Sequence, residues 1–195
     1  MPYRVLGLAG SLRQASFNRS LLRSAVSLAP DQLNIEPFEL GSVPLFNQDL
    51  EPDLPAEAAA FRQALESADA LLISTPEYNS QVPGVLKNAL DWASRTYKQI
   101  NVVKSKPVAI MGATDGGVGT SRAQAQLRSL LSIMGLHVLP DQLYVANVTT
   151  KMDQAGIITD QETLRRLGKL LESLASFSSL IVGQARGQTQ GQDQG

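Results

Sequence analysis

Tyr3-Arg4-Val5-Leu6-Gly7-Leu8-Ala9-Gly10-Ser11-Leu12-Arg13-Gln14-Ala15-Ser16-Phe17-Asn18 lies at the start of the chain and decides how the rest is read. Residues 3–9 form an apolar run with strand character. Residues 10–18 are dense in hydroxyls and amides, carry one guanidinium, and lead into a helical pattern that begins at Arg19. A helix N-terminus concentrates unpaired N–H groups and partial positive charge, so a loop of this make-up suits a phosphate. A second apolar run, Ala70-Leu71-Leu72-Ile73-Ser74, ends in Thr75-Pro76-Glu77-Tyr78-Asn79-Ser80. Pro76 restricts the backbone there, and the polar turn that follows suits the edge of a flat polar ring. Together the two loops describe a nucleotide-like cofactor lying across strand ends.

The same β–α alternation continues along the chain. Strands are expected near residues 3–9, 34–38, 70–75, 107–112 and 137–145, and helices near 19–28, 56–67, 84–97, 121–134 and 161–182. The first, third and fourth strands are apolar almost throughout, as parallel strands covered on both faces are. This pattern predicts an α/β fold, a doubly wound five-stranded parallel sheet in order 2-1-3-4-5, with ligands where strands one and three diverge. Those two strands end in the two loops above. Pro83 is expected at a helix start, where its missing N–H costs nothing, and Gly135 at a left-handed helix end. The proline-rich stretch 41–55 reads as a long irregular connection near the site.

Composition narrows the function. The 195 residues, 43% hydrophobic and 18% charged, fit one soluble domain over residues 1–182. From Gly183 the chain turns to glutamine and glycine, and residues 183–195 read as a flexible tail. A net charge of −1 carries no basic excess for nucleic acid. Cysteine is absent, which removes disulfides and thiolate chemistry, and the single histidine, His137, rules out a histidine-rich metal site. No apolar run reaches membrane-spanning length, and the expected location is cytoplasmic.

Each candidate has a plain alternative. In the first loop Ser16 or Asn18 serves equally as a helix cap; in the second, Asn79 caps a helix and Glu77 is simply solvated. The glycine-rich Thr114-Asp115-Gly116-Gly117 segment after the fourth strand is either a wall of the site, with backbone amides open to a ligand, or a connection only. Neither the dinucleotide spacing nor a Walker lysine is present. His137 reads as structural. Trp92 belongs to an apolar series with Val85, Leu86, Ala89, Leu90 and Ala93, a core stripe first and a subunit interface second.

The three loops together resemble the NAD(P)H-dependent FMN reductase family of the flavodoxin-like superfamily, and within it the chromate- and quinone-reducing members. The likeness is carried by GSLRQASFN at 10–18, TPEYNSQVPGVLKNALDW at 75–92 and RAQAQLRSLL at 122–131, in order over about residues 3–182. The resemblance implies a flavodoxin-like three-layer sandwich. It implies FMN with its phosphate at Ser11, Arg13, Ser16, Phe17 and Asn18, and its ring against Pro76, Glu77, Tyr78 and Asn79. Thr114, Asp115, Gly116 and Gly117 would close the other side. It further implies NADPH or NADH as donor, a small-molecule acceptor such as a quinone, azo or nitro compound, chromate or free flavin, and a homodimer or homotetramer with the 84–97 helix near an interface. No catalytic side chain is expected, because the flavin carries the chemistry. The rival readings are a flavodoxin-like electron carrier without NAD(P)H oxidase activity and a flavin-free nucleotide-binding module.

Overall fold

Five strands, β1 (Tyr3–Ala9), β2 (Leu33–Phe38), β3 (Ala70–Ser74), β4 (Pro107–Ala113) and β5 (His137–Val145), pair in parallel in the order β2-β1-β3-β4-β5. The computed structural model describes residues 1–97 and 100–192, with side chains up to residue 183. Every residue of β3 and β4 is buried, which is why both read as unbroken apolar runs.

Five helices cover the sheet: α1 (Phe17–Ser27), α2 (Ala56–Ser67), α3 (Gly84–Ser94), α4 (Ser121–Ile133) and α5 (Gln161–Gln192). Alternate strand residues sort onto two cores. Leu6, Leu8, Leu71, Ile73, Val108 and Ile110 face α2, α3 and α4, while Val5, Ala70, Leu72, Ala109 and Met111 face α1 and α5. The period of two along each strand thus makes the three layers. At Gly7 an added Cβ would stand 3.0 Å from Leu22 Cδ1, so the missing side chain is what lets α1 lie close on β1.

The predicted order 2-1-3-4-5 is the observed one, and the bounds of β1, α2 and β5 coincide with expectation. Five helix ends differ, among them that of α1, which stops one residue early at Ser27. α1 starts at Phe17 because Ser16 caps it: its Oγ accepts from the amides of Asn18 and Arg19 at 3.2 and 3.4 Å. α3 stops at Ser94, short of the expected Tyr97, where Arg95 turns to extended backbone. α4 closes at Ile133, with Met134 as its C-cap and Gly135 following at φ +86° in the left-handed conformation expected of it. α5 runs past the expected end at Val182 as far as Gln192, so the backbone read as a tail from Gly183 is helical up to that residue. Residues 193–195 lie outside the described residues.

The irregular stretch 41–55 lies between β2 and α2 and holds two short 3-10 turns, Leu40–Ser42 and Gln48–Leu50. It is stitched to α3, with the Trp92 indole N–H donating to Pro44 O at 2.8 Å and Asn88 Nδ2 to the same oxygen at 2.9 Å. Trp92 and Leu86 are fully buried in this protomer, and Phe46 meets the Trp92 ring edge-on at 5.0 Å. The apolar stripe of α3 is therefore spent inside the domain. His137 is exposed at the start of β5, its ring 6.5 Å from that of Phe177.

Candidate active site

The carboxyl ends of β1, β3 and β4 bring the three expected loops to one edge of the sheet, at the point where the chain order reverses between β1 and β3. In the first loop Ser11 is buried, and its Oγ lies 3.2 Å from the Tyr78 hydroxyl and accepts from the Arg13 amide at 3.4 Å. Arg13 is exposed, pairs with no carboxylate among the described residues, and rests over the half-buried Phe17 ring at 4.9 Å. Backbone amides of Leu12, Gln14, Ala15 and Phe17 find no acceptor among the described residues. Unsatisfied amides, the start of an 11-residue helix and an unpaired guanidinium converge here. That donor set fits a phosphate.

Asn18 has a different place from the rest of its loop. Its side chain is buried and turned to the strand ends: Oδ1 accepts from the Ala113 amide at 2.9 Å and from Ser74 Oγ at 3.0 Å, while Nδ2 donates to Ala113 O at 2.9 Å. Ser16 is likewise occupied as an acceptor by the cap, though its hydroxyl proton remains to be donated.

The second loop forms a tight turn. Tyr78 and Gln81 exchange backbone hydrogen bonds, and Asn79 and Ser80 between them have φ of 52° and 62°. Two successive positive φ values mark a type I′ geometry, which Asn tolerates well. Asn79 therefore makes a turn and caps no helix; α3 begins beyond Pro83, its N-cap residue. Pro76 is buried at the root of the turn, and its carbonyl accepts from Thr75 Oγ1 at 2.9 Å. The amides of Glu77, Asn79 and Ser80 take no acceptor among the described residues.

Glu77 is neither solvated nor aimed into the cleft. Its side chain is 9% exposed; one carboxylate oxygen accepts from the amides of Arg122 and Ala123 at 2.9 and 3.2 Å, the other from Arg122 Nη1 at 3.2 Å. Thr120, the N-cap residue of α4, offers no side-chain cap, so Glu77 caps α4 from another loop. Gln126 Nε2 donates to Ser80 O at 3.0 Å and adds a second tie. The turn is thereby fastened to α4, with the Glu77 carboxylate engaged there and the amides of residues 77, 79 and 80 unpaired among the described residues.

In the third loop Thr114 Oγ1 accepts from the Gly116 amide at 3.2 Å, and Asp115 accepts from the Thr149 hydroxyl. Gly116 and Gly117 are exposed, and nothing lies within 4 Å of a Cβ built on Gly117. Gly112 at the root of the loop is the opposite case: a Cβ there would stand 2.0 Å from Thr120 Oγ1 and 2.5 Å from Thr75 O. Only a glycine lets the ends of β3 and β4 meet the start of α4 so closely. The sequence reading missed Ser74 and Arg122. Ser74 carried a signal, as the one hydroxyl closing an otherwise apolar buried strand.

A cavity of about 780 Å³ lies elsewhere, between β5 and α5 around Leu139, Leu143 and Phe177. It touches none of the three loops. The donors that converge at the strand ends are what distinguish the candidate site.

A doubly wound sheet in order 2-1-3-4-5, with a donor set suited to a phosphate after β1, defines a flavodoxin-like protein. The comparisons place it further. The NADPH-dependent FMN reductase family matches residues 3–150. A 2-hydroxy-1,4-benzoquinone reductase from a Burkholderia species is 38% identical over 178 residues, covering 91% of this chain and 97% of its own. An NADPH:quinone oxidoreductase from Arabidopsis thaliana is 40% identical, covering 92% and 94%. Among solved structures, a flavoenzyme NAD(P)H:(acceptor) oxidoreductase from Paracoccus denitrificans superposes with a TM-score of 0.84 at 32% identity, covering 92% of this chain and 98% of its own. The chain belongs to the NADPH-dependent FMN reductase family, and it is an FMN-dependent oxidoreductase that uses NAD(P)H.

Proposed function

We propose that this protein holds FMN across the β1–α1, β3–α3 and β4–α4 loops and carries two electrons from NADPH or NADH to a quinone-type acceptor. The observation that carries the reading is the unsatisfied donor set at the start of α1, where Arg13 and the amides of residues 14, 15 and 17 await an anion. The names of the relatives support the acceptor class: they are quinone reductases from bacteria and plants. FMN held there would supply the two-electron chemistry between nicotinamide and acceptor, so no side chain need act as nucleophile or base.

The chain's own residues bind and orient. Arg13, the loop amides and the Ser11 and Ser16 hydroxyls hold the phosphate. The amides of residues 77, 79 and 80 read the polar edge of the ring, held in place by the Glu77 cap on α4. Thr114, Asp115, Gly116 and Gly117 line the opposite side, where the bare Gly117 backbone permits close approach. An open cleft takes donor and acceptor in turn and suits azo, nitro, chromate or flavin acceptors as well as quinones. An electron carrier is disfavoured because relatives matched over nine-tenths of the chain are reductases by name.

The purified protein is expected to show flavin absorbance. Its oxidation of NADPH with a quinone should give parallel lines in double-reciprocal plots, as a ping-pong exchange at one site requires. Intersecting lines, or no NADPH oxidation by flavin-loaded protein, would contradict the reading.

The same proposal includes a homodimer or homotetramer in a cytoplasmic setting. No helix among the described residues is long and apolar enough to cross a membrane. With Trp92 and Leu86 internal, assembly would draw on surface other than the apolar stripe of α3; Leu12, Tyr78 and Val118, one on each of the three loops, are exposed. Light scattering should return a multiple of 20.9 kDa; the monomer mass at micromolar concentration would exclude assembly.

A further inference from the structure

We infer that Asn18 and Ser74 are positioning residues for the phosphate loop, fixing it to the ends of β3 and β4 without touching the phosphate themselves. The inference rests on the reading of the cleft as an FMN site. The family resemblance places Asn18 among the phosphate ligands; the structure turns its side chain away from the loop's open donors and into the protein. Asn18 stands on the first turn of α1, and its amide pairs with both the N–H and the C=O of Ala113, as a neighbouring strand would. Ala113 is the last residue of β4, and Ser74, the last residue of β3, donates its hydroxyl to the same Asn18 oxygen. Both residues are buried.

This clamp joins the two halves of the site. The phosphate donors belong to the start of α1, and the ring-facing loops leave the ends of β3 and β4. FMN has a bounded reach between phosphate and ring, so tight binding requires those two sets of donors to keep a fixed separation. Ser74 and Asn18 set that separation where the three elements meet. Gly112 beside the clamp, with no room for a Cβ, keeps the strand ends from shifting to compensate. Ser74 Oγ is fully buried behind Asn18 and cannot reach a ligand in the cleft. It therefore separates positioning from direct contact.

The test compares FMN with riboflavin, which lacks the phosphate, titrated into flavin-stripped full-length protein. Wild type should bind FMN more tightly. Ser74→Ala removes one atom and should weaken FMN about threefold to tenfold with a smaller effect on riboflavin, the loss expected for one buried hydrogen bond. Asn18→Ala should weaken FMN about tenfold, and the double variant should be no worse than Asn18→Ala alone, because both changes release one clamp. Backbone hydrogen exchange of the flavin-free protein supplies a second readout, with faster exchange at the hydrogen-bonded amides of residues 16, 18 and 113 in both variants. If Ser74→Ala leaves the FMN-to-riboflavin ratio and the exchange at wild-type values while Asn18→Ala weakens FMN, Asn18 binds the phosphate directly and the inference is wrong. If the two effects multiply, the residues act separately and it is wrong again. A wild type with no preference for FMN over riboflavin would overturn the phosphate reading itself, a result distinct from either.

Discussion

Replacing Arg62 by leucine is expected to cost about 3–5 kcal/mol of stability, because two of the three backbone carbonyls the guanidinium binds, those of Trp92 and Arg95, have no other donor among the described residues. Arg62 projects from α2 and is 6% exposed. Its Nη1 donates to Trp92 O at 2.9 Å and to Arg95 O at 2.7 Å, and its Nη2 to Ile100 O at 3.3 Å. The Tyr97 ring stands 5.9 Å away on the same side. The end of α3 and the segment after it are thus closed by a charge supplied from α2. Burial pulls the Arg62 pKa below the ordinary arginine value, opposed by the nearby Glu66 and Glu51 carboxylates. Leucine restores the apolar stem and leaves the Trp92 and Arg95 carbonyls without a donor, while Ile100 O keeps the Tyr97 amide. Arg62→Lys should recover only part of the loss, since one ammonium does not match a planar fork shared among three carbonyls. Urea denaturation followed by far-ultraviolet circular dichroism measures it, and an Arg62→Leu midpoint equal to wild type would exclude the role.

Arg62 also shows why α3 was read too long. The apolar periodicity of 84–97 continues through Tyr97, and nothing in those residues marks a stop. The stop is imposed from α2, thirty residues earlier in sequence, by a group that captures the last carbonyls of the helix. Long-range capping of this kind leaves no local signature. The same holds for α4, capped by Glu77, which sequence alone treats as a solvated acid or a ring contact. By contrast, the strand order was legible, because β3 and β4 are buried on both faces and composition reports two-sided burial directly. Trp92 was legible as core and illegible as interface, since a stripe that fills one protomer and a stripe that joins two have the same period. In the candidate site, residue types that suit a phosphate were visible in the 10–18 loop. Which of them are spent on the protein was not: Ser16 on a cap and Asn18 on the strand ends are facts of three dimensions.

Arg13→Ala is expected to weaken FMN binding ten- to a hundredfold while leaving riboflavin binding and thermal stability near wild type. Arg13 is the charged side chain of the first loop and, like Gln14, has no hydrogen-bonded partner among the described residues; the face of Phe17 lies 4.9 Å from the guanidinium carbon to the ring centre. That contact costs the guanidinium none of its donors and keeps it over the first turn of α1, beside the free amides of residues 14, 15 and 17. A planar fork in that position meets two phosphate oxygens at once, and a charge-assisted bidentate contact contributes about 1.5–3 kcal/mol. Because the side chain is exposed, its removal takes nothing from the core, so the loss should fall on affinity alone. Arg13→Lys should land between the two, keeping the charge and losing the fork. Raising salt should narrow the gap between wild type and Arg13→Ala, since an exposed pair is screened. Titration of flavin-stripped protein with FMN and with riboflavin reads all of this. An Arg13→Ala protein that binds FMN as wild type does would assign the phosphate to the backbone amides alone.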